Sequence, residues 1–293
     1  MGSLFHSEFE YSPTFGLWYI LTVTSSIACP PEPDVVIGQD GLPRLSQAYI
    51  DACERFMETL VTEDDRPIDG FFASSQAMLL VEPLYSSWTH PHFGRRFIAE
   101  GNVGVFYAFD RPPVVPDVFL SLDVVLPSDL LKKSNRSYFI WKYGKSPDIV
   151  VEIIASPDGG EEREDGKLGI YSHIRVGYCV VYDPMQLNGS EPLRVYVYRN
   201  GRLVRTDERW FDHIGLGVTL WHGEYHGMEA VWLRWCDQNG MVIPTGVERA
   251  EALRSANLRH AEAEQAYANA EAEKARADRL AAKLRAAGID PDV

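Results

Sequence analysis

The stretch PDIVVEIIASPDGGEEREDGK, residues 147–167, decides the reading of this chain. It opens with an apolar run, Ile149 to Ile154, that carries a single carboxylate, Glu152, in its middle. The run reads as a buried β-strand. Burying an unpaired carboxylate is costly, so Glu152 demands a partner. Side chains alternate along a strand, which puts Asp148, Val150, Glu152 and Ile154 on one face. At about 3.3 Å per residue, Asp148 and Glu152 stand roughly 13 Å apart. One Mg²⁺, with ligands about 2.0–2.1 Å away, cannot touch both, so Pro147-Asp148 reads as a strand start.

A second acid has to come from another strand, and VVPDVFLSLDV supplies it. Asp117 sits in an apolar run much like the one around Glu152. Adjacent strands would bring the two carboxylates within about 5 Å, where they repel unless a cation lies between them. A Mg²⁺ there would polarise a phosphate and acidify a water, the chemistry of phosphodiester hydrolysis. Such chemistry also needs a fixed positive charge. The simplest place for a lysine is two residues after Glu152, but that position is Ile154. The nearest replacement is Lys167, which shares a helical face with Tyr171 four residues on; Lys142 and Lys145 are alternatives. Glu82 and Glu100 could each supply a further acid, whereas Asp123 lies about 20 Å along the strand from Asp117.

Working outward, LSQAYIDACERFMETLV spaces Leu45, Tyr49, Cys53, Phe56, Met57 and Leu60 as an amphipathic helix. Strand-like runs follow at 77–85, 102–109, 114–126, 137–143, 148–154 and 177–183, with one clear helix between the last two, at about 162–175. LRVYVYRNGRLVRT alternates around Asn200-Gly201 and predicts a hairpin; GVTLWHGEYHGMEAVWLRW predicts a second. His222 and His226 have metal-ligand spacing only on a helix, and here they flank a glycine turn. The fold class is therefore α/β in the broad sense, an α+β mixed sheet with flanking helices. Domain limits fall at 1–44 for a leader and linker, 45–245 for the sheet domain and 246–293 for a tail rich in Ala, Glu and Arg. Alanines fill most of the tail's apolar positions, with leucines near its ends. That predicts a long exposed or weakly pairing helix, a dimer arm, without the Leu or Ile heptads of a strong coiled coil.

The composition limits partners and place. A formal charge of −14 on 293 residues opposes nucleic-acid binding over the whole surface and asks for a local basic or metal-filled site. Cys29, Cys53, Cys179 and Cys236 are scattered with no CxxC spacing and read as thiols in a reducing cytoplasm. Phe15 to Ala28 is too short for a membrane span and follows no positive region. No GxSxG, Cys-His or HExxH pattern points to another hydrolase.

Asp117, Glu152-x-Ile154 and the displaced Lys167 resemble the PD-(D/E)XK nuclease superfamily. More closely, PPVVPDVFLSLDV, KSPDIVVEIIASPDGGEEREDGKLGIYSHIRVGYCVVYDP and DRLAAKLRAAGIDPD are similar to the Uma-type restriction endonucleases, from roughly residue 65 to the C-terminus. The resemblance implies a restriction-endonuclease-like core, Mg²⁺- or Mn²⁺-dependent cleavage of DNA, and a homodimer or higher homo-oligomer. It implies that Asp117 and Glu152 are metal ligands and that Lys167 is the catalytic lysine. The acidic loop PDGGEERED departs from the family, and the first 40 or so residues have no counterpart in it. A second reading is a nuclease-fold module without useful activity that assembles through its C-terminal helix.

Overall fold

The structure is a computed structural model that describes residues 29–38, 40–60, 70–92, 94–156 and 166–287. The apolar segment 15–28 and the loop PDGGEERED lie outside the described residues. The chain begins with a small hairpin, β1 (Val35–Ile37) and β2 (Pro43–Leu45), inside the stretch read from sequence as a linker. Helix α1 (Gln47–Met57) follows, capped by the Ser46 side chain, which accepts from the Tyr49 N–H. Helix α2 (Gly70–Ser86) leads into strands β3 (Phe97–Gly101), β4 (Val105–Phe106), β5 (Val118–Leu122) and β6 (Tyr138–Phe139). One helical turn, α3 (Ile140–Tyr143), precedes β7 (Ile149–Ile153); helix α4 (Lys167–His173) then precedes β8 (Tyr178–Tyr182). The remainder is β9 (Leu193–Arg199), β10 (Arg202–Thr206), β11 (Trp210–Phe211), β12 (Leu216–Tyr225), β13 (Met228–Cys236) and helix α5 (Gly246–Ala286).

Six strands form the central mixed sheet in the order β10-β9-β8-β7-β5-β3, with β7 and β8 parallel and the other neighbours antiparallel. Both faces of β7 are buried, which explains its unbroken apolar run. Ile149, Val151 and Ile153 face a core shared with Ala73, Ala77, Leu80 and Leu84 of α2 and with Leu216, Val218, Leu233 and Trp235 of the three-stranded sheet β11-β12-β13. Val150 and Ile154 face the opposite core, with Phe119, Tyr138, Cys179, Val181 and, from α4, Leu168 and Tyr171. Glu152 belongs to that second face by alternation. Both hairpins form: Arg202 pairs with Arg199 around Asn200-Gly201, and Met228 with Tyr225 around His226-Gly227. The turn residues all have positive φ, 52° and 86° in the first and 52° and 75° in the second, as type I′ turns require. The expected mixed sheet with flanking helices, hairpins and a long terminal helix is what the chain forms.

The run 77–85 corrects the sequence reading, for it belongs to helix α2 and not to a strand. Its apolar residues are nearly continuous because α2 packs against the central sheet and β13 together, and that continuity hides the 3.6-residue period. The true spacing is Ala73, Gln76, Ala77, Leu80 and Leu84, all buried. Gln76 completes the packing by donating from Nε2 to the Leu233 carbonyl at 2.8 Å and accepting the Leu233 N–H at 2.9 Å. Likewise 137–143 is half strand and half helical turn.

Candidate active site

The residues around Glu152 come from three separate elements. Antiparallel β5 pairs with β7 so that Val118 lies opposite Val151 and Phe119 opposite Val150. One further step in that register sets Asp117 opposite Glu152. The Asp117 carboxylate accepts the Ile153 N–H at 2.6 Å, so the side chain takes over the ladder where β5 has not yet begun. Helix α4 starts beyond the carboxyl end of β7 and turns Lys167 and Tyr171 back over it. Lys167 Nζ donates to Glu152 Oε2 at 2.7 Å, and the Tyr171 hydroxyl donates to Oε1.

Glu152 is 1% exposed. Burial pushes its carboxyl up to about 8; Asp117 pushes the same way, and Lys167 and the Tyr171 hydroxyl oppose it. Burial together with the Glu152 charge drives the Tyr171 hydroxyl well above its ordinary range, so it stays a phenol and a donor. Lys167 keeps about a third of its side chain exposed, and the charge cluster therefore opens to solvent on the α4 side.

The other candidate residues are placed elsewhere. Asp148 Oδ2 accepts the Leu122 N–H at 2.7 Å and is paired with Lys145 at 2.5 Å, at the opposite end of the β5–β7 ladder. Lys142 Nζ donates to the Ser134 carbonyl at 2.9 Å. Asp123 pairs with Arg96 at 2.9 Å, and Glu82 accepts the Gly246 N–H at the foot of α5. His222 lies within β12 opposite Val231 and His226 in the β12–β13 turn, with Glu229 and Ser75 as their respective neighbours. Of the two further acids, Glu82 and Glu100, Glu100 shares the sheet face of Glu152: it lies opposite Phe119, which lies opposite Val150. Tyr171 is the member that sequence reasoning left without a role; its signal was the four-residue spacing from Lys167.

Two carboxylates of opposed strands are hard oxygen donors suited to Mg²⁺, which binds through one or two carboxylates and completes its shell with water and phosphate. The hydrogen bonds from Lys167 and Tyr171 take two acceptor sites of Glu152, fewer than the about four a carboxylate offers. The residues thus fit a divalent cation. Among the described residues no third His, Cys, Asp or Glu joins such a group, so the protein's share of the ligands would be these two.

The family model Uma2, "Putative restriction endonuclease", matches residues 66–212, half of the chain. It spans Asp117, Glu152, Lys167 and Tyr171, and the chain belongs to this family. No curated protein matches the chain. None of the described helices is long and apolar enough to cross a membrane.

Proposed function

We propose that this member of the Uma2 family is a metal-dependent DNA endonuclease that hydrolyses phosphodiester bonds, with Asp117 and Glu152 as ligands of Mg²⁺ or Mn²⁺ and Lys167 as the catalytic cation. One observation carries the reading: a carboxylate before β5, a carboxylate in β7 and a lysine opening α4 converge at the carboxyl end of β7, where open α/β sheets commonly hold their ligands. A bound divalent ion would supply the charge that polarises a phosphodiester and lowers the pKa of an attacking water. The chain does the rest. The Ile153 N–H fixes Asp117, and Tyr171 and Lys167 fix the two oxygens of Glu152, so the pair keeps its geometry without reorganising. The partly exposed Lys167 ammonium would meet the negative charge that grows on the phosphate as the P–O bond breaks. Placing cations locally also answers the −14 charge of the chain, since the phosphate meets a positive centre on an acidic body.

The reading extends to a homodimer formed through α5 in a cytoplasmic protein. A helix of 41 residues with none buried, about 60 Å long, has little reason to exist alone. The same helix supports the alternative of an assembly module without cleavage. Supercoiled plasmid incubated with Mg²⁺ separates the two: wild type nicks or linearises it, and Asp117→Ala and Glu152→Ala are each slower by at least about a hundredfold. Equal rates in the variants and the wild type would sink the nuclease assignment.

A further inference from the structure

A cavity of about 280 Å³ lies on the same sheet face as Asp117 and Glu152, toward the edge strand β3. Phe119 forms part of its floor, two residues along the chain from Asp117, or about 7 Å in extended backbone. Tyr138 and Tyr143 add aromatic walls, and Ile98, Leu126 and Leu130 complete an apolar lining. Four polar residues interrupt it: Glu100, Asn135, Arg136 and Ser137. The Ser137 side chain is buried, 5% exposed as a residue, and its hydroxyl has no hydrogen-bond partner in the structure. Buried hydroxyls are normally satisfied, so this one points to a missing ligand. Glu100 is half-buried, and burial raises its carboxyl above the usual carboxylate range. A purely apolar ligand would leave both groups unsatisfied at full cost.

We propose that this cavity is a nucleobase subsite, taking the base next to the phosphate held at Asp117 and Glu152 and selecting bases that carry an amino group; the proposal rests on the nuclease reading above. The volume is below the about 300–1,000 Å³ of sites for drug-sized ligands and suits one flat ring system. Aromatic walls give a base a stacking surface, as they do for bases drawn out of a duplex or a single strand. The Glu100 carboxylate accepts from an amino group of cytosine, adenine or guanine, just as Asp and Glu accept from cytosine N4 in duplex recognition. Thymine presents carbonyl oxygens beside its one N–H and meets the carboxylate unfavourably. The Ser137 hydroxyl, sealed in the free chain, bonds a second edge atom once its side chain turns toward the cavity, and Arg136 stands at the cavity wall to meet a flanking phosphate.

The test uses the full chain without metal and the four deoxynucleoside monophosphates, followed by saturation-transfer NMR. We expect dCMP, dAMP or dGMP to bind at least fivefold more tightly than dTMP. Glu100→Gln and Ser137→Ala should each remove most of that preference, and Asp117→Asn should keep it. Both cavity variants are near-isosteric, and unchanged melting curves would show that they fold. Equal binding of all four nucleotides, no binding by any, or a preference unchanged in Glu100→Gln overturns the subsite. Cleavage of oligonucleotides distinguishes the two claims. Cutting that depends on Asp117 with no preference for the base beside the cut overturns the subsite and leaves the nuclease standing. Base preference in binding without cutting supports the subsite and removes the nuclease.

Discussion

Replacing Glu152 with Gln tests the electrostatics of the site apart from its catalysis. The Glu152 carboxyl titrates at about 8 in the folded protein against an ordinary 4.5. Below pH 4.5 the group is neutral in both the folded and unfolded chains and carries no penalty. Between 4.5 and 8 the unfolded chain releases the proton and the folded one keeps it, so stability is lost as pH rises through this window. The loss runs at about 1.36 kcal/mol per pH unit over a gap of about 3.5, which totals on the order of 5 kcal/mol above pH 8. Glutamine mimics the neutral acid at every pH. The stability of Glu152→Gln minus that of the wild type should therefore grow from near zero at pH 4.5 to several kcal/mol in the variant's favour at pH 8. Urea unfolding in EDTA at half-unit steps of pH measures it, and the titrations of all other groups cancel in the difference. Mg²⁺ needs the ionised carboxylate, so at pH 8 it should stabilise the wild type, by about 2.7 kcal/mol at a hundred times its Kd, and leave the variant unmoved. A difference that stays flat from pH 5 to 8, or that favours the wild type at pH 8, refutes the reasoning. It would mean that Lys167 and Tyr171 outweigh burial and hold Glu152 ionised.

Lys167→Met removes the charge that opposes burial at Glu152, so plasmid cleavage should fall at least about a hundredfold and its pH optimum should move upward; an unmoved optimum counts against the pair. Asp148→Ala should cost about 1–3 kcal/mol through the orphaned Leu122 N–H while plasmid is still cut, and loss of cutting in this folded variant would make Asp148 part of the site. Glu248→Ala strips the bidentate partner, at 2.7 and 3.1 Å, from the buried Arg234 guanidinium and breaks the capping box at the start of α5. With Glu248 itself partly exposed, the expected cost in urea unfolding is about 2–3 kcal/mol, and less than about 0.5 would show that the foot of α5 is not anchored there. Ending the chain after Arg259 keeps that anchor and removes a part of α5 with no buried residue, so stability should change by less than about 0.5 kcal/mol while the mass in solution drops to that of a monomer. An unchanged mass assigns assembly to another surface.

Sequence legibility followed the physical uniqueness of each signal. Asn200-Gly201 between alternating strands has one good solution, and the chain takes it. Helix α5 was legible because alanine, glutamate and arginine favour helix without help from packing. The strand at Glu152 was legible because its burial on both faces leaves an unbroken apolar run. That same property misled at α2, where a helix wedged between two sheets is apolar almost all round and imitates a strand. Tyr171 shows a different limit. Its four-residue spacing from Lys167 places both on one helical face, but its bond to Glu152 depends on how the β7–α4 connection returns to the sheet. No local pattern records that. Nor does sequence alone make β5 the neighbour of β7, with β6 and α3 lying between them in the chain.

The register of that pair fixes the site, and apolar packing alone holds it weakly. A slip of one residue normally carries a strand's apolar set to the solvent face. Here both faces of β5 and β7 are buried in apolar cores, so a slip exchanges one apolar residue for another. Polar pins at the two ends of the ladder supply the missing specificity. Asp117 accepts the Ile153 N–H at one end, and Asp148 accepts the Leu122 N–H at the other, with Lys145 holding Asp148. The two bonds join equivalent positions across the antiparallel pair, each aspartate reaching one residue past its opposite number. Asp148, which Pro147 makes conspicuous in the sequence, therefore acts on the architecture, and Asp117 acts on it too while facing Glu152. A slip would move Asp117 opposite Val151 and leave Glu152 with Lys167 and Tyr171 only, without the second carboxylate that the proposed metal site uses. The same hydrogen bond that closes the β5–β7 ladder is thus the one that assembles the acid pair.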